Sequence, residues 1–274
     1  MKKISIVLLI CFILASVQVG AAAAPINGKM SERQLDQILL KSGFPQSYLN
    51  VTLLQDKEFI VGKSGTEMQY QGRTVEKYRL DEENNLVKID SGNDGELTPM
   101  ATIPTSDLDV WFDTFKVSVN GVYHQDVYPQ FLWKKGIVTI NDSIGVAVPQ
   151  GWEIISSENS CQTYWAYQST GPWSADSNCG GRPAQTSVYG FEWKSLWNAS
   201  IHPYGNPTFE KGTAYLRMKK TDSNAYNRVV GNYVHDTTAK SNATYQLTLY
   251  WLSVLYQPSS GTIDTAGFDK TFTY

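Results

Sequence analysis

The chain has 274 residues and carries 23 Lys and Arg against 26 Asp and Glu, a formal net charge of −3 at pH 7. A mildly acidic protein gains nothing from a phosphate backbone, so this charge balance disfavours nucleic acid as a partner. No run of basic residues indicates binding to an anionic membrane surface either.

Residues 1–24 have the three-part layout of a secretory signal peptide: two lysines, an apolar run over 4–14 and four alanines at 21–24. The apolar run is shorter than the about 20 residues that span a bilayer. We therefore expect a secreted mature chain, extracellular or associated with the cell wall, that begins near Pro25 and contains no membrane span. Its length suits one large all-β domain with a small appendage. The leader and the segment after it resemble secreted proteins of Gram-positive bacteria.

Residues 25–90 predict a small N-terminal region of helices and a hairpin. Ser31 is a good N-cap for a helix whose apolar residues recur three and four positions apart. The segment 54–61 fits either a helix or a strand, and 75–90 predicts a hairpin around a polar turn. The region has too little apolar surface to fold alone, so we expect it to pack on something else. Residues 91–106 carry Gly, Pro and polar residues without a period and predict a linker.

Residues 107–274 are a succession of short β patterns separated by turn residues. The Asn-Gly pair at 120–121 is the strongest hairpin signal in the chain. Separate strands are predicted at 152–155 and 163–168, and 244–256, apolar on both faces in its second half, predicts one central strand. The pattern as a whole predicts a mainly β fold, an antiparallel β-sandwich with a β-barrel as the alternative.

Two cysteines remain after removal of the leader, Cys161 and Cys179, and an even count in an exported chain favours a disulfide. Closing this loop of 17 intervening residues would stabilise the fold by roughly 3 kcal/mol in the chain-entropy model. Two free thiols or two metal ligands are the alternatives. No second Cys or His pair stands at ligand spacing and no phosphate-binding glycine loop occurs, so we expect neither a metal nor a cofactor.

Aromatic residues are the strongest functional signal, because they form 12% of the chain and concentrate in 161–202 beside amides and charged groups. Aromatic rings cover the C–H face of a sugar while polar side chains bind its hydroxyls. Trp173 is the leading candidate because it precedes a polar loop with nothing obvious to bury it. The alternative is that these rings belong to the core of a sandwich. The predicted ligand contacts are Tyr164, Tyr167, Trp173, Asp176, Asn178, Arg182 and Trp197.

Three functions follow as hypotheses. The first is a secreted, non-enzymatic binding protein whose partner is a cell-wall or extracellular polysaccharide. The second is a secreted hydrolase, in which His124 with Asp126, or His235 with Asp236, supplies acid–base chemistry. The third is a protein-interaction role, such as an inhibitor, a toxin accessory or a matrix component, in which the N-terminal helix is a removable pro-segment.

The mature boundary and the disulfide can be checked together by intact-mass analysis of the secreted protein. We expect a chain that starts near Pro25 and whose cysteines take up a thiol label only after reduction, because Cys161 and Cys179 are predicted to be bonded. The Cys161→Ser variant is the control, since it leaves one thiol that reacts without reduction. A start beyond residue 90 would instead indicate a removed pro-segment, and labelling without reduction would contradict the disulfide.

Overall fold

Two antiparallel β-sheets face each other, and three helices cover the outer face of the larger one. This architecture is seen in a computed structural model. The residues that it describes are 29–82, 85–89, 106–137, 142–176, 185–187, 190–193, 208–236, 245–250, 253–258 and 263–274. The predicted signal peptide lies outside them.

The helices are α1 (Glu32–Lys41), α2 (Gln46–Leu49) and α3 (Leu54–Ser64). Ser31 caps α1 as predicted, and its backbone N–H donates to Oε1 of Gln34 at 2.9 Å, the reciprocal bond of a capping box. The segment 54–61, open between helix and strand in the sequence, is helical. No helix in the described part of the chain is long and apolar enough to cross a membrane.

The described residues form two main sheets and a separate hairpin. The strands are β1 (Gln69–Leu80), β2 (Leu86–Lys88), β3 (Leu108–Val119), β4 (Val122–Trp133), β5 (Ser143–Ala147), β6 (Trp152–Ala166), β7 (Ser174–Asp176), β8 (Gln185–Ser187), β9 (Gly190–Trp193), β10 (Phe209–Lys220), β11 (Arg228–Asp236), β12 (Tyr245–Tyr250), β13 (Ser253–Pro258) and β14 (Ile263–Thr271). The larger sheet has the strand order β2-β1-β3-β4-β10-β6-β7, and the smaller one has the order β14-β11-β5-β9-β8. The hairpin consists of β12 and β13. The predicted antiparallel sandwich is confirmed. The barrel alternative is wrong, because the described strands form sheets that do not close on themselves.

The hairpin between β3 and β4 forms where the sequence predicts it. Asn120 and Gly121 have φ angles of 52° and 77°, the two positive values that a tight hairpin turn of type I′ requires. The two strands then pair without a register shift from Val119 opposite Val122 to Leu108 opposite Trp133. This hairpin forms the centre of the larger sheet.

Two strand predictions are wrong in their boundaries. The strands predicted at 152–155 and 163–168 are one strand, β6, because residues 159–162 between them also pair with β10, beside a register irregularity at 155–158. The strand predicted at 244–256 is the β12–β13 hairpin. A run that is apolar on both faces does not distinguish one buried strand from two that pair with each other.

The larger sheet is buried on both faces. Between the sheets, the rings of Phe112 and Phe268 have centroids 4.4 Å apart. On the outer face, the ring of Phe44 stacks on that of Phe115 at 6.1 Å, and Leu39 of α1 is fully buried. The helical region therefore packs on the sheet as expected. Its hairpin joins the same sheet, because β1 pairs with β3. Of the predicted linker 91–106, only Ser106 is described.

The role of the helices in folding can be tested with two neighbouring leucines of α1. Leu39 is 0% exposed and Leu40 is 41% exposed, so the pair offers a matched contrast on one helix. We expect Leu39→Ala to lower the free energy of unfolding by about 2–5 kcal/mol and Leu40→Ala to change it by less than about 0.5 kcal/mol. Urea unfolding measures both. Equal small effects would mean that the helices unfold separately from the sandwich.

Candidate functional site

The structure brings two of the predicted ligand contacts together. Tyr164 lies on β6 and is 7% exposed, whereas Trp173 lies just before β7 and is half-buried. The chain reverses between them through a turn at Gly171, whose φ of 86° favours glycine. A Cβ atom on Gly171 would lie 3.1 Å from Cδ1 of Trp173, so the turn and the indole are closely packed.

Lys211 of β10 holds this pair of rings. Its Nζ lies 5.1 Å from the ring centroid of Tyr164 and 5.6 Å from that of Trp173, so the ammonium makes a cation–π contact with each. The same Nζ donates to the Asp56 carboxylate of α3, which also accepts from Nε2 of Gln162 at 3.0 Å. Burial lowers the pKa of Lys211, and Asp56 opposes that shift. We call these five residues the Trp173 cluster.

Of the other predicted contacts, Tyr167 does not join the Trp173 cluster. Tyr167 is 62% exposed, and its ring packs edge-on against Trp165 with centroids 5.1 Å apart. Successive strand residues point to opposite faces, so Trp165 and Tyr164 are on different sides of β6. Asp176 ends β7, in register with Thr163. Asn178, Arg182, Trp197 and Cys179 lie outside the described residues, so the disulfide and these contacts stay predictions.

A layer of buried charges lies between the helices and the larger sheet. Arg217 donates to both oxygens of Asp126, from Nε at 2.7 Å and from Nη2 at 2.8 Å, and Ser64 of α3 donates to the same carboxylate at 2.7 Å. Asp113 is held similarly by Arg73, with bonds of 2.8 and 2.6 Å. Burial raises the pKa of Asp126, and the Arg217 guanidinium counteracts it. Sequence analysis missed this layer, because its partners lie far apart in the chain.

One histidine has a carboxylate partner that the sequence analysis did not identify. His235 Nδ1 lies 3.1 Å from Oδ1 of Asp142, and the Tyr233 hydroxyl donates to the same carboxylate. Of Asp236, the predicted partner, the structure describes only the backbone, so its pairing with His235 stays a prediction. The ring of Trp133 lies 4.7 Å from that of His235, which is 3% exposed. The Asp142 carboxylate is placed to orient the His235 imidazole for proton transfer, but both groups are buried and out of reach of a substrate.

The His124–Asp126 pair does not form. His124 Nδ1 lies 2.9 Å from the backbone oxygen of Val122, and the Asp126 carboxylate accepts from Arg217 instead. The described structure therefore brings no side-chain carboxylate into hydrogen-bond contact with His124. In the part of the chain that the structure describes, no group of three or more His, Cys, Asp or Glu side chains could hold a metal ion.

A second aromatic cluster lies at the other end of the larger sheet, and sequence analysis missed it. Lys116 Nζ is 4.1 Å from the ring centroid of Tyr123 and 5.5 Å from that of Tyr274. Lys220 Nζ is 5.5 Å from the same Tyr274 ring and 5.8 Å from that of Trp152. Rings and ammonium groups thus alternate across β4, β3, β10 and β6, and Tyr274 follows β14. We call these five residues the lysine ladder.

Comparison with known proteins gives no family. The sequence matches no family model and no curated protein. Among solved structures, it is similar to a collagen-binding domain from a Staphylococcus aureus adhesin, with 12% identity over 54% of this chain and 86% of that one and a TM-score of 0.30. It is also similar to a pore-forming protein, with 10% identity over 61% and 87% and a TM-score of 0.31.

A collagen-binding subdomain of an Enterococcus faecalis surface protein shows a comparable likeness, with 11% identity over 61% of this chain and 87% of that one and a TM-score of 0.27. Likenesses this distant carry no argument about the present chain. Its architecture follows from its own strand pairing.

The buried Asp126–Arg217 pair predicts a pH-dependent defect. We expect Arg217→Met to lower the free energy of unfolding by about 3–5 kcal/mol near neutral pH, because it leaves a buried carboxylate without its cation. Burial then raises the pKa of Asp126 in the folded state further above its unfolded value. The folded variant therefore takes up a proton as the pH falls, and the defect shrinks at acid pH.

Urea unfolding at about pH 7.5 and about pH 4.5 measures this change. Lys219→Met is the matched control, because Lys219 lies on the same strand with its side chain 43% exposed and pairs with Glu153 at 3.8 Å. Lys219→Met should lower the free energy of unfolding by less than about 1 kcal/mol at both pH values. An Arg217→Met defect that is independent of pH would contradict the assignment.

Proposed function

We propose that this protein is a secreted, non-enzymatic binding protein that acts at the cell surface or in the surrounding medium. Its proposed ligand is a carbohydrate polymer, and its proposed contact surface is centred on the Trp173 cluster. The observation that carries the proposal is the half-buried Trp173 ring, fixed in place by Lys211 at 5.6 Å.

Preorganisation of the indole supports this reading. A ring that is already held loses little conformational freedom on binding, so more of the contact energy appears as affinity. Trp173 is held by the turn at Gly171 and by Lys211, which is itself held by Asp56. The exposed part of the ring can contact the C–H face of a sugar, and Gln162, on the same side of β6 as Tyr164, can bind hydroxyl groups.

The state of the histidines supports a binding role over a hydrolytic one. A general base must reach the proton that it abstracts, directly or through one water. His235 and its partner Asp142 are 3% and 0% exposed, and His124 is 6% exposed. A hydrolase using either histidine would first have to open the core of the fold.

The proposal is tested by a pull-down of the mature protein on particles of peptidoglycan, chitin, cellulose and glucan. Fibrillar collagen is included as a protein arm, since two of the similar structures are named as collagen-binding. We expect retention on one polysaccharide, reduced about tenfold by Trp173→Ala and less by Trp173→Phe, which keeps an aromatic face. Retention on collagen alone would replace the polysaccharide with a protein partner.

Tyr226→Ala is the control for this experiment. Tyr226 is 77% exposed in the connection between β10 and β11, near the end of β10 remote from Lys211. Its truncation removes an exposed aromatic ring without touching the Trp173 cluster, so retention should be unchanged. Equal losses in Trp173→Ala and Tyr226→Ala would mean nonspecific adsorption, and no retention on any material would overturn the proposal.

A further inference from the structure

The lysine ladder holds two ammonium groups that no side-chain carboxylate of the described residues pairs with. The ammonium groups of Lys116 and Lys220 both lie 5.5 Å from the centroid of one ring, that of Tyr274. Neither lysine makes an ion pair with a carboxylate of the described residues, and Lys220 donates instead to the neutral Oδ1 of Asn227 at 2.9 Å. Both ammonium groups border the same ring, so an anion that binds beside Tyr274 would be attracted by both.

The neighbouring acidic residues are directed elsewhere. Glu153 pairs with Lys219, which alternates with Lys220 and so faces the opposite side of the sheet. Asp222 accepts from the backbone N–H of Asn224 at 2.8 Å. The ladder is therefore a local positive site on a chain whose formal net charge is −3.

The ladder also presents an accessible aromatic ring beside these charges. Tyr123 is 54% exposed, and the adjacent Val122 is 48% exposed. The hydroxyl of Tyr274 donates to the backbone oxygen of Tyr123 at 2.8 Å, which ties the segment after β14 to the β3–β4 turn. The ring of Trp152 packs edge-on against Tyr274 with centroids 5.0 Å apart. The site is thus preformed and needs no ordering of a mobile loop.

We propose that the lysine ladder binds an acidic polysaccharide. Its carboxylate or phosphate groups lie between the ammonium groups of Lys116 and Lys220, and a sugar ring packs on the exposed part of Tyr123. A nucleic acid is a poorer match, because two lysines on an acidic protein neutralise too few phosphates. The ladder is independent of the Trp173 cluster, since Lys211 and Lys220 are nine residues apart on β10, or roughly 30 Å along a strand.

The test is affinity electrophoresis of the mature protein in gels that contain polygalacturonate. The comparison polymer is the same polysaccharide with its carboxylates methyl-esterified, which keeps the sugar and removes the charge. We expect retardation only by the acidic form, decreasing with added salt. Lys116→Gln, Lys220→Gln and Tyr123→Ala should each weaken binding about fivefold. A polyphosphate gel separates sugar recognition from recognition of the anion alone.

Lys219→Gln is the matched control, because it removes one positive charge from the neighbouring position of the same strand, and it should leave binding within about twofold. Equal losses in Lys219→Gln and Lys220→Gln, equal affinity for polyphosphate, or no retardation by polygalacturonate would each overturn the proposal. Trp173→Ala should have no effect here, so failure of the ladder and failure of the Trp173 cluster give different results. Thermal unfolding of each variant confirms that it is folded.

Discussion

The burial of the larger sheet on both faces is the constraint on which the rest of the structure depends. A sheet in a sandwich commonly has one face in solvent, but here α1 to α3 cover the outer face through Leu39, Phe44 and their neighbours. The carboxylates of Asp113 and Asp126 are consequently sealed between helix and sheet, where they require the paired bonds of Arg73 and Arg217. Removing the helices would expose these charges and a wide aromatic surface together.

The same constraint explains how far the fold could be predicted from sequence. Local signals were reliable, since the capping residue Ser31 and the Asn-Gly turn at 120–121 act over a few neighbouring residues. The predicted strand boundaries were wrong where they depend on pairing with residues that are distant in the sequence. The mostly polar residues 159–162 of β6 belong to a strand because they pair with β10. The run 244–256 is apolar on both faces, and this pattern does not reveal that its two halves pair with each other.

The candidate sites illustrate the same limit. A cluster of aromatic residues was visible in the sequence, but strand alternation divides it, so Trp173 faces Lys211 while Tyr167 packs on Trp165. His235 contacts the carboxylate of Asp142, 93 residues away, which no local sequence pattern indicates. The lysine ladder joins residues of four strands and the segment after β14, which only the folded sheet brings together.

The strand lengths at the margins of the larger sheet bear on how the protein behaves at high concentration. Its outermost strands, β2 and β7, contain three residues each, and they cover only part of β1 and β6. The uncovered part of β6 is rich in serine, glutamate and asparagine, and β1 has a register irregularity between Tyr70 and Arg73. Short, polar or irregular margins resist strand-to-strand association between molecules. The polarity that obscured β6 in the sequence thus favours a protein that stays dispersed instead of polymerising.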